Sequence, residues 1–185
     1  PPSPQPSPVY TLPGIDSPLI ETTGCGTALV THFRADGSVD DPALRALVHW
    51  QIDSGIDLLV ACGSTGEAAT LNEDEWLHVV QLVVDASAGR VPVWAGCTHN
   101  CTRTLLRQAA QLRQIQGVNA VLSANPYYNK PTQEGQYQHF RAIAEAIDKP
   151  IILYNVPGRT GANIEPKTHA RLTEIPNIAG VKEAS

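Results

Sequence analysis

The chain has 185 residues, of which 42% are hydrophobic and 17% are charged, a composition typical of a globular domain with its own core. Its net charge of −5, the lack of a basic block and the low content of Phe argue against a nucleic-acid-binding surface. No apolar run approaches the roughly 18 residues that a membrane span needs. We therefore expect a small-molecule partner, and neither a nucleic acid nor a membrane.

The first segment, residues 1–20, has six prolines among its first thirteen residues and no basic stretch leading into an apolar one. This composition predicts a disordered, Pro-rich lead-in and not a secretory signal. Residues 21–185 are predicted to form a single catalytic domain. Because the chain begins with Pro and contains no Met, we expect that at least one end has been cut or processed.

Six short apolar runs follow one another along residues 21–185. They lack the alternation of apolar and polar residues found in half-exposed strands, so they predict strands buried on both faces, as in a parallel sheet. The predicted strands are 26–31, 57–63, 91–96, 119–125, 150–156 and 177–182.

Three of the segments between these runs carry helix signals. In the first, Asp41 is the predicted N-cap and Pro42 fits the first helical turn. In the second, Asn72 and Glu75 have the spacing of a capping box. The third is predicted to begin at Thr132. The order of strand and helix indicates an α/β protein built from repeated βα units.

Two architectures fit this order: an open doubly wound sheet and a (β/α)8 barrel. No G-x-G-x-x-G segment follows the first strand, which argues against a dinucleotide-binding sheet. We therefore predict an α/β fold of the (β/α)8 TIM-barrel type, truncated here after about six strands. In such a barrel the active site lies at the carboxyl ends of the strands.

The most unusual residue at such a position is Lys182, which lies in the last apolar run. It is either a solvated lysine near the end of the chain or a Schiff-base nucleophile, because a desolvated amine loses its proton and can attack a ketone. Tyr154 lies near the end of the fifth predicted strand, and Arg159 lies in the turn-rich segment that follows, 156–161, which we predict to be a loop. A phenol can shuttle protons and a guanidinium can hold a carboxylate, although a core tyrosine and a surface arginine remain alternatives.

Two further loops carry candidate residues. After the second strand, Gly63, Ser64 and Thr65 form a turn whose hydroxyls and backbone N–H groups can hold a carboxylate. After the fourth strand, Tyr127 and Tyr128 are adjacent, so one could face the site and the other an interface.

The cysteines offer a weaker pattern. Cys97 and Cys101 flank His99, but structural zinc needs a second ligand pair, and none follows. We expect free thiols in a reducing compartment and no metal.

Four segments, "GSTGE", "NPYYNKP", "YNVPGRTG" and "GVKEAS", occur here in a specific order and spacing. On these segments the chain, from about Thr23 to Ser185, resembles the dihydrodipicolinate synthase family of class I pyruvate-dependent aldolases and lyases. The resemblance implies a (β/α)8 barrel, usually a homotetramer, in the cytoplasm and without a cofactor.

The resemblance also implies roles for the catalytic residues. Lys182 would form a Schiff base with pyruvate, and Tyr154 would donate and accept protons through a relay with Ser64 and Tyr128. In many family members the tyrosine that corresponds to Tyr128 reaches into a neighbouring subunit's site, which implies that a dimer is needed for full activity.

The resemblance also implies two substrate-binding roles. Thr65 with its backbone, beside Gly63, would bind the pyruvate carboxylate. Arg159 would bind the carboxylate of the incoming aldehyde. Members that act on sugar-acid aldehydes usually lack this arginine, so the resemblance implies condensation of pyruvate with L-aspartate 4-semialdehyde to 4-hydroxy-tetrahydrodipicolinate, in the diaminopimelate route to lysine. The alternatives are an aldolase for a sugar-acid aldehyde and a catalytically silent relative.

Three features depart from the family pattern. Ser64 replaces the usual threonine and keeps the hydroxyl. Glu73, Trp76 and Thr104 differ from the residues of lysine-sensitive members, so feedback inhibition is not implied. The chain ends after the sixth predicted strand, which leaves two open sheet edges.

Overall fold

The computed structural model describes residues 23–185, and the predicted lead-in lies outside this part. Six parallel strands form one sheet, in which each strand pairs with the next one along the chain. The strands are β1 (Gly26–Ala28), β2 (Leu58–Ala61), β3 (Val93–Gly96), β4 (Val118–Ala124), β5 (Ile151–Asn155) and β6 (Ile178–Glu183). Every predicted strand overlaps an observed one, and the prediction of a parallel sheet is confirmed.

Helices connect the strands on one side of the sheet. They are α1 (Asp41–Asp53), α2 (Glu73–Ser87), α3 (Thr102–Leu112), α4 (Gln133–Ala146), α5 (Pro157–Thr160) and α6 (Pro166–Leu172). The single turn α5 corrects the predicted loop 156–161. Pro157 occupies its first turn and Gly161 ends it in the left-handed conformation, with φ of 71°.

The helix starts were predicted to within one residue. The N-cap of α1 is Asp40, whose Oδ1 accepts a hydrogen bond from the backbone N–H of Ala43 at 3.1 Å, and not Asp41. The capping box of α2 is confirmed, since Asn72 and Glu75 each accept from the other's backbone N–H at 2.9 Å. The predicted start of α4 at Thr132 is one residue early, because Thr132 is the N-cap and the helix begins at Gln133.

Apolar side chains fill both faces of the sheet. On the helical side they form the larger core, with Leu44, Leu105 and Phe140 fully buried. On the other side a smaller cluster joins residues of β2, β4 and β5 with the residue after β5: Leu58, Val60, Ala120, Leu122, Ala124, Ile152, Tyr154 and Val156. Strands that are not neighbours meet in this cluster because the sheet curls, as the wall of a barrel does.

Because the strands are parallel, all their carboxyl ends lie at one edge of the sheet. The loops after β2 and β4 leave this edge with left-handed backbone at residues other than glycine. Within this edge the backbones of β2 and β3 approach so closely that a Cβ on Gly96 would collide with the Cys62 carbonyl. The carboxyl edge is therefore a tightly specified platform for the loops that follow the strands. None of the helices within residues 23–185 is both long enough and apolar enough to cross a membrane.

Candidate active site

A cavity of about 290 Å³ opens at the carboxyl edge of the sheet. The loops after β2, β3, β4 and β5 all contribute to its wall. Of the seven predicted site residues, four line it: Gly63, Ser64, Tyr154 and Arg159. Lys182, Thr65 and Tyr128 are not part of this wall, and each is described below.

Lys182 lies directly beside Tyr154. The two residues are register partners on the adjacent strands β5 and β6, so their side chains leave the sheet on the same face. The Lys182 Nζ is 4.4 Å from the centroid of the Tyr154 ring. Since Tyr154 lines the cavity, this contact places the amine next to the cavity wall.

The surroundings of Lys182 favour its neutral form. Partial burial lowers the pKa of Lys182 below its ordinary value, and the positive charge of Arg159 lowers it further. A lower pKa leaves more of the amine unprotonated near neutral pH, and only the unprotonated amine can attack a carbonyl carbon.

Arg159 is placed by the short helix α5. The turn is closed by backbone hydrogen bonds from Arg159 and Thr160 to the carbonyl of Val156, and by the Thr160 hydroxyl, which donates to the carbonyl of Ala162 at 2.9 Å. The guanidinium is exposed and borders the cavity, where it can pair with a carboxylate.

The loop after β2 forms a sequence of tight turns. Gly66 donates its backbone N–H to the Gly63 carbonyl at 3.0 Å, and Glu67 donates to Ser64 at 3.2 Å. The Thr31 hydroxyl donates to the Gly66 carbonyl at 2.7 Å and anchors the loop on the segment after β1. The turn holds Gly63 and Ser64 at the cavity wall.

Thr65 stands at the tip of the same loop, where its side chain is exposed and does not reach the cavity wall. Its assignment to a substrate carboxylate therefore stays a prediction.

The two adjacent tyrosines after β4 have different environments. Tyr127 lines the cavity, and its ring centroid is 6.4 Å from that of His99. Tyr128 is 87% exposed and has a left-handed backbone with φ of 73°. The structure does not bring Tyr128 together with Ser64 and Tyr154 within this chain, so the predicted relay stays a prediction.

Sequence reasoning missed three polar residues of the cavity wall, Glu67, Thr98 and Thr160. The Thr98 hydroxyl accepts a hydrogen bond from the backbone N–H of Ala124 at 2.9 Å, which joins the ends of β3 and β4. Its position just after the third apolar run could have identified it, because residues at that end of every strand face the site.

The cysteine segment after β3 has no geometry suited to a metal ion. Cys97 is buried, which raises the pKa of its thiol to about 12, whereas Cys101 is exposed. His99 Nδ1 accepts a hydrogen bond from the backbone N–H of Cys101 at 2.9 Å. Within residues 23–185, no three His, Cys, Asp or Glu side chains are grouped as metal ligands.

The parallel sheet is curled and has helices on its outer side, which is the architecture of a barrel wall. Its carboxyl edge carries the Lys182 amine, the Tyr154 phenol and the Arg159 guanidinium. The sequence profile of the dihydrodipicolinate synthetase family matches residues 21–185. The chain belongs to this family.

Individual relatives agree with this assignment. The chain is 61% identical over 167 residues to the 4-hydroxy-tetrahydrodipicolinate synthase of Acidobacterium capsulatum, covering 90% of this chain and 55% of that protein. It is 64% identical over 162 residues to the enzyme of the same name from Koribacter versatilis, covering 88% and 54%. The chain thus spans about half the length of these relatives.

The fold is also found among solved structures. A dihydrodipicolinate synthase from Acinetobacter baumannii, solved in complex with pyruvate, superimposes with a TM-score of 0.86 at 46% identity. The match covers 89% of this chain and 56% of that one. This likeness confirms the predicted barrel fold, of which residues 23–185 contain six strands.

Proposed function

We propose that this chain carries the Schiff-base site of a 4-hydroxy-tetrahydrodipicolinate synthase, which condenses pyruvate with L-aspartate 4-semialdehyde. The observation that carries the proposal is the Lys182 amine, with its lowered pKa, against the ring of Tyr154. The names of the relatives support the same reaction. Because the chain spans about half their length, the activity is proposed for the whole protein to which these residues contribute.

The first chemical step joins Lys182 to pyruvate. The neutral amine attacks the ketone carbon of pyruvate, and the resulting carbinolamine loses water to give an imine. Each proton transfer needs a group that can donate and accept, and the Tyr154 phenol is next to the amine. Loss of a proton from the methyl carbon then gives an enamine, whose carbon attacks the aldehyde of the second substrate.

Two carboxylates have to be held during these steps. The turn from Gly63 to Thr65 offers backbone N–H groups and the Ser64 hydroxyl to the pyruvate carboxylate. Arg159 offers its guanidinium to the carboxylate of the aldehyde substrate across the cavity mouth.

Borohydride reduction in the presence of pyruvate tests the first step. We expect a covalent adduct at Lys182, located by mass spectrometry of a digest, and none in Lys182→Ala. Lys149→Ala is the matched control, because this lysine lies at the opposite edge of the sheet, where its Nζ donates to the Val118 carbonyl. A folded chain that gains no mass would contradict the proposal and favour a catalytically silent relative.

Replacement of Arg159 tests the second substrate. With Arg159→Ala we expect pyruvate trapping to continue while the KM for aspartate semialdehyde rises by about tenfold or more, since a charge-assisted pair is lost. An unchanged KM would instead favour an aldolase for a sugar-acid aldehyde without a carboxylate at this place.

A second copy of the chain is proposed to complete the relay. Tyr128 is exposed and held in a left-handed conformation, as a side chain that enters a neighbouring site would be. If so, mixing Tyr128→Ala with Lys182→Ala chains should restore part of the activity that each has lost, because one copy keeps the lysine and the other supplies the tyrosine. No recovery in a mixed oligomer would show that Tyr128 acts within its own chain or not at all.

We also propose a cytoplasmic location. Cys25 and Cys101 are exposed free thiols, which persist in a reducing compartment. Fractionation of cells followed by detection of the chain in the cytoplasmic fraction would test this.

A further inference from the structure

A second pair of register partners lies immediately after Tyr154 and Lys182. Asn155 and Glu183 face each other across β5 and β6, one residue further along each strand. Because side chains alternate along a strand, this pair leaves the sheet on the face opposite to the amine and the phenol. Asn155 is only 2% exposed, so its amide depends on protein partners for its hydrogen bonds.

The Asn155 side chain connects three segments of the chain. Its Nδ2 donates to both carboxylate oxygens of Glu183 at 3.0 Å and to the Oδ1 of Asn163 at 2.8 Å. Its Oδ1 accepts from the backbone N–H of Ile164 at 3.0 Å. One amide therefore holds β6 and the loop after α5 against the end of β5.

Glu183 is suited to this contact because it stays charged. The hydrogen bond from Asn155, with further bonds from Ser185 and Ala184, lowers the pKa of Glu183 below its ordinary value. The negative charge of Glu183 also acts on the titratable side chain of His169 on α6. On the other face of the strands, Lys182 has the charge of Arg159 and the Tyr154 ring nearby.

We propose that Asn155 and Glu183 are positioning residues that fix the carboxyl ends of β5 and β6, so that Lys182 stays over Tyr154 and the α5 turn keeps Arg159 at the cavity. The inference rests on the proposed function for its chemistry. It follows from the place of Lys182 on β6, where its register partner is Tyr154 and the next pair along the two strands is Asn155 and Glu183. Small displacements of a reacting group are costly, so a bond that fixes this strand end affects the reaction without touching substrate.

The test compares pyruvate trapping by borohydride across pH in four variants. In Asn155→Ala and Glu183→Ala we expect a rate lower by about tenfold or more. We also expect the midpoint of the pH profile to move upward, because an amine released into solvent recovers its ordinary pKa. Glu183→Gln should recover most of the rate, since its amide oxygen still accepts from Asn155 Nδ2.

Asn177→Ala is the matched control. Asn177 is also a partly buried asparagine of this strand pair, and its Nδ2 donates to the carbonyls of Ala144 and Ile147 at 2.9 Å, but it lies at the opposite end of β6. Its replacement removes comparable hydrogen bonds and should leave the trapping rate and the pH midpoint within about twofold of wild type, as for distant independent sites.

Three outcomes would overturn the inference. These are wild-type rates and midpoints in both alanine variants, an equal loss in Asn177→Ala, or no recovery in Glu183→Gln. If Asn155→Ala fails to fold, Glu183→Ala decides the question, because Glu183 is exposed and its loss leaves no cavity.

A readout without pyruvate separates this inference from the proposed function. The pKa of Lys182 can be measured from the pH dependence of its labelling by an amine-acylating reagent. If the wild-type chain traps no pyruvate, the proposed function fails. The labelling experiment still tests whether Asn155 and Glu183 position Lys182. An upward shift in Asn155→Ala and Glu183→Ala, but not in Asn177→Ala, supports the positioning role, and equal values in all four chains overturn it.

Discussion

The two edges of the sheet use left-handed backbone in different ways. At the amino edge, the turns that lead into β2, β3 and β4 contain Gly55, Gly89 and Gly117, with φ of 87°, 71° and 90°. Among residues 23–185, Ala88 is the one residue other than glycine that has positive φ at the amino edge. At the carboxyl edge the loops after β1 and β5 use Gly37 and Gly161, but the left-handed residues of the loops after β2 and β4 all carry side chains: Cys62, Glu67, Tyr128 and Lys130.

This difference indicates that the amino edge contributes to stability, whereas the carboxyl edge carries the candidate site. Glycine adopts positive φ without steric cost, whereas other residues lose about 1–2 kcal/mol each in this conformation. Cys62 and Glu67 nevertheless adopt it, and both line the cavity. Strain of this kind persists where the surrounding structure enforces it and is concentrated at functional sites. Substitutions at the two edges should therefore change different measurable properties.

The largest effect is expected for Tyr154→Phe. The variant keeps the ring under Lys182 but loses the hydroxyl, so we expect a fall in turnover of about 10²–10⁴-fold, the range for loss of a general acid or base. Urea unfolding should show stability close to wild type. Tyr137→Phe is the matched control, because that ring lies on α4 against Arg171. Equal turnover in the two variants would contradict a proton-transfer role for Tyr154.

Phe140→Ala should act in the opposite way. Phe140 is fully buried between the helices and the sheet, so its truncation should lower the free energy of unfolding by about 3–5 kcal/mol. The rate of pyruvate trapping per folded molecule should stay near wild type, because the ring lies on the helical face. A trapping rate that falls as far as in Tyr154→Phe would show that the two faces of the sheet are not separable.

His139 should make stability depend on pH. It is buried on α4, where its Nδ1 shares a hydrogen bond of 2.8 Å with the Thr102 hydroxyl. Burial lowers the pKa of His139 to about 4, and the nearby His99 adds to this effect. Between pH 4 and the ordinary value near 6.5, the unfolded chain binds a proton that the folded chain does not. Stability should therefore fall by about 2–3 kcal/mol as the pH is lowered from 7 to 4.5.

Urea unfolding at the two pH values checks this, with His139→Asn to remove the titration while keeping an acceptor for Thr102. The loss of stability on acidification should be smaller in this variant by about the same 2–3 kcal/mol. Identical pH responses in wild type and His139→Asn would rule out His139 as the source.

Local signals in the sequence predicted most of the scaffold. The six strands followed from apolar runs buried on both faces, and the capping box of α2 followed from Asn72 and Glu75, because both patterns depend on neighbours in the chain. Apart from the one-residue shift at the start of α4, two local details were wrong. Asp40 and Asp41 are adjacent carboxylates, and the sequence does not distinguish which one caps α1. A segment rich in turn residues could also close one helical turn, as α5 does.

The candidate site was less predictable, because its geometry depends on tertiary contacts. That Lys182 and Tyr154 share an edge follows from their positions after parallel strands, whereas their contact depends on the register of β5 and β6. Which of two adjacent tyrosines enters the cavity is set by the left-handed backbone of Tyr128, a conformation that residue types other than glycine rarely adopt. The hydrogen bonds of Asn155 join three segments, and no local pattern indicates them.

The smallest expected effects are changes in stability at left-handed residues of the two edges. A Cβ added at Gly89 would meet no atom within 4 Å, so Gly89→Ala introduces only the cost of left-handed backbone, and stability should fall by about 1 kcal/mol. Lys130→Gly makes the reverse change on an exposed residue with φ of 48°. The substitution removes about 1–2 kcal/mol of backbone strain from the folded chain. Glycine costs roughly 0.5–1 kcal/mol of stability, because it gives the unfolded chain more conformational entropy to lose on folding. The free energy of unfolding should therefore rise slightly. Urea unfolding of both variants should thus give changes of opposite sign, and a loss of stability in Lys130→Gly would mean that its left-handed backbone is not strained.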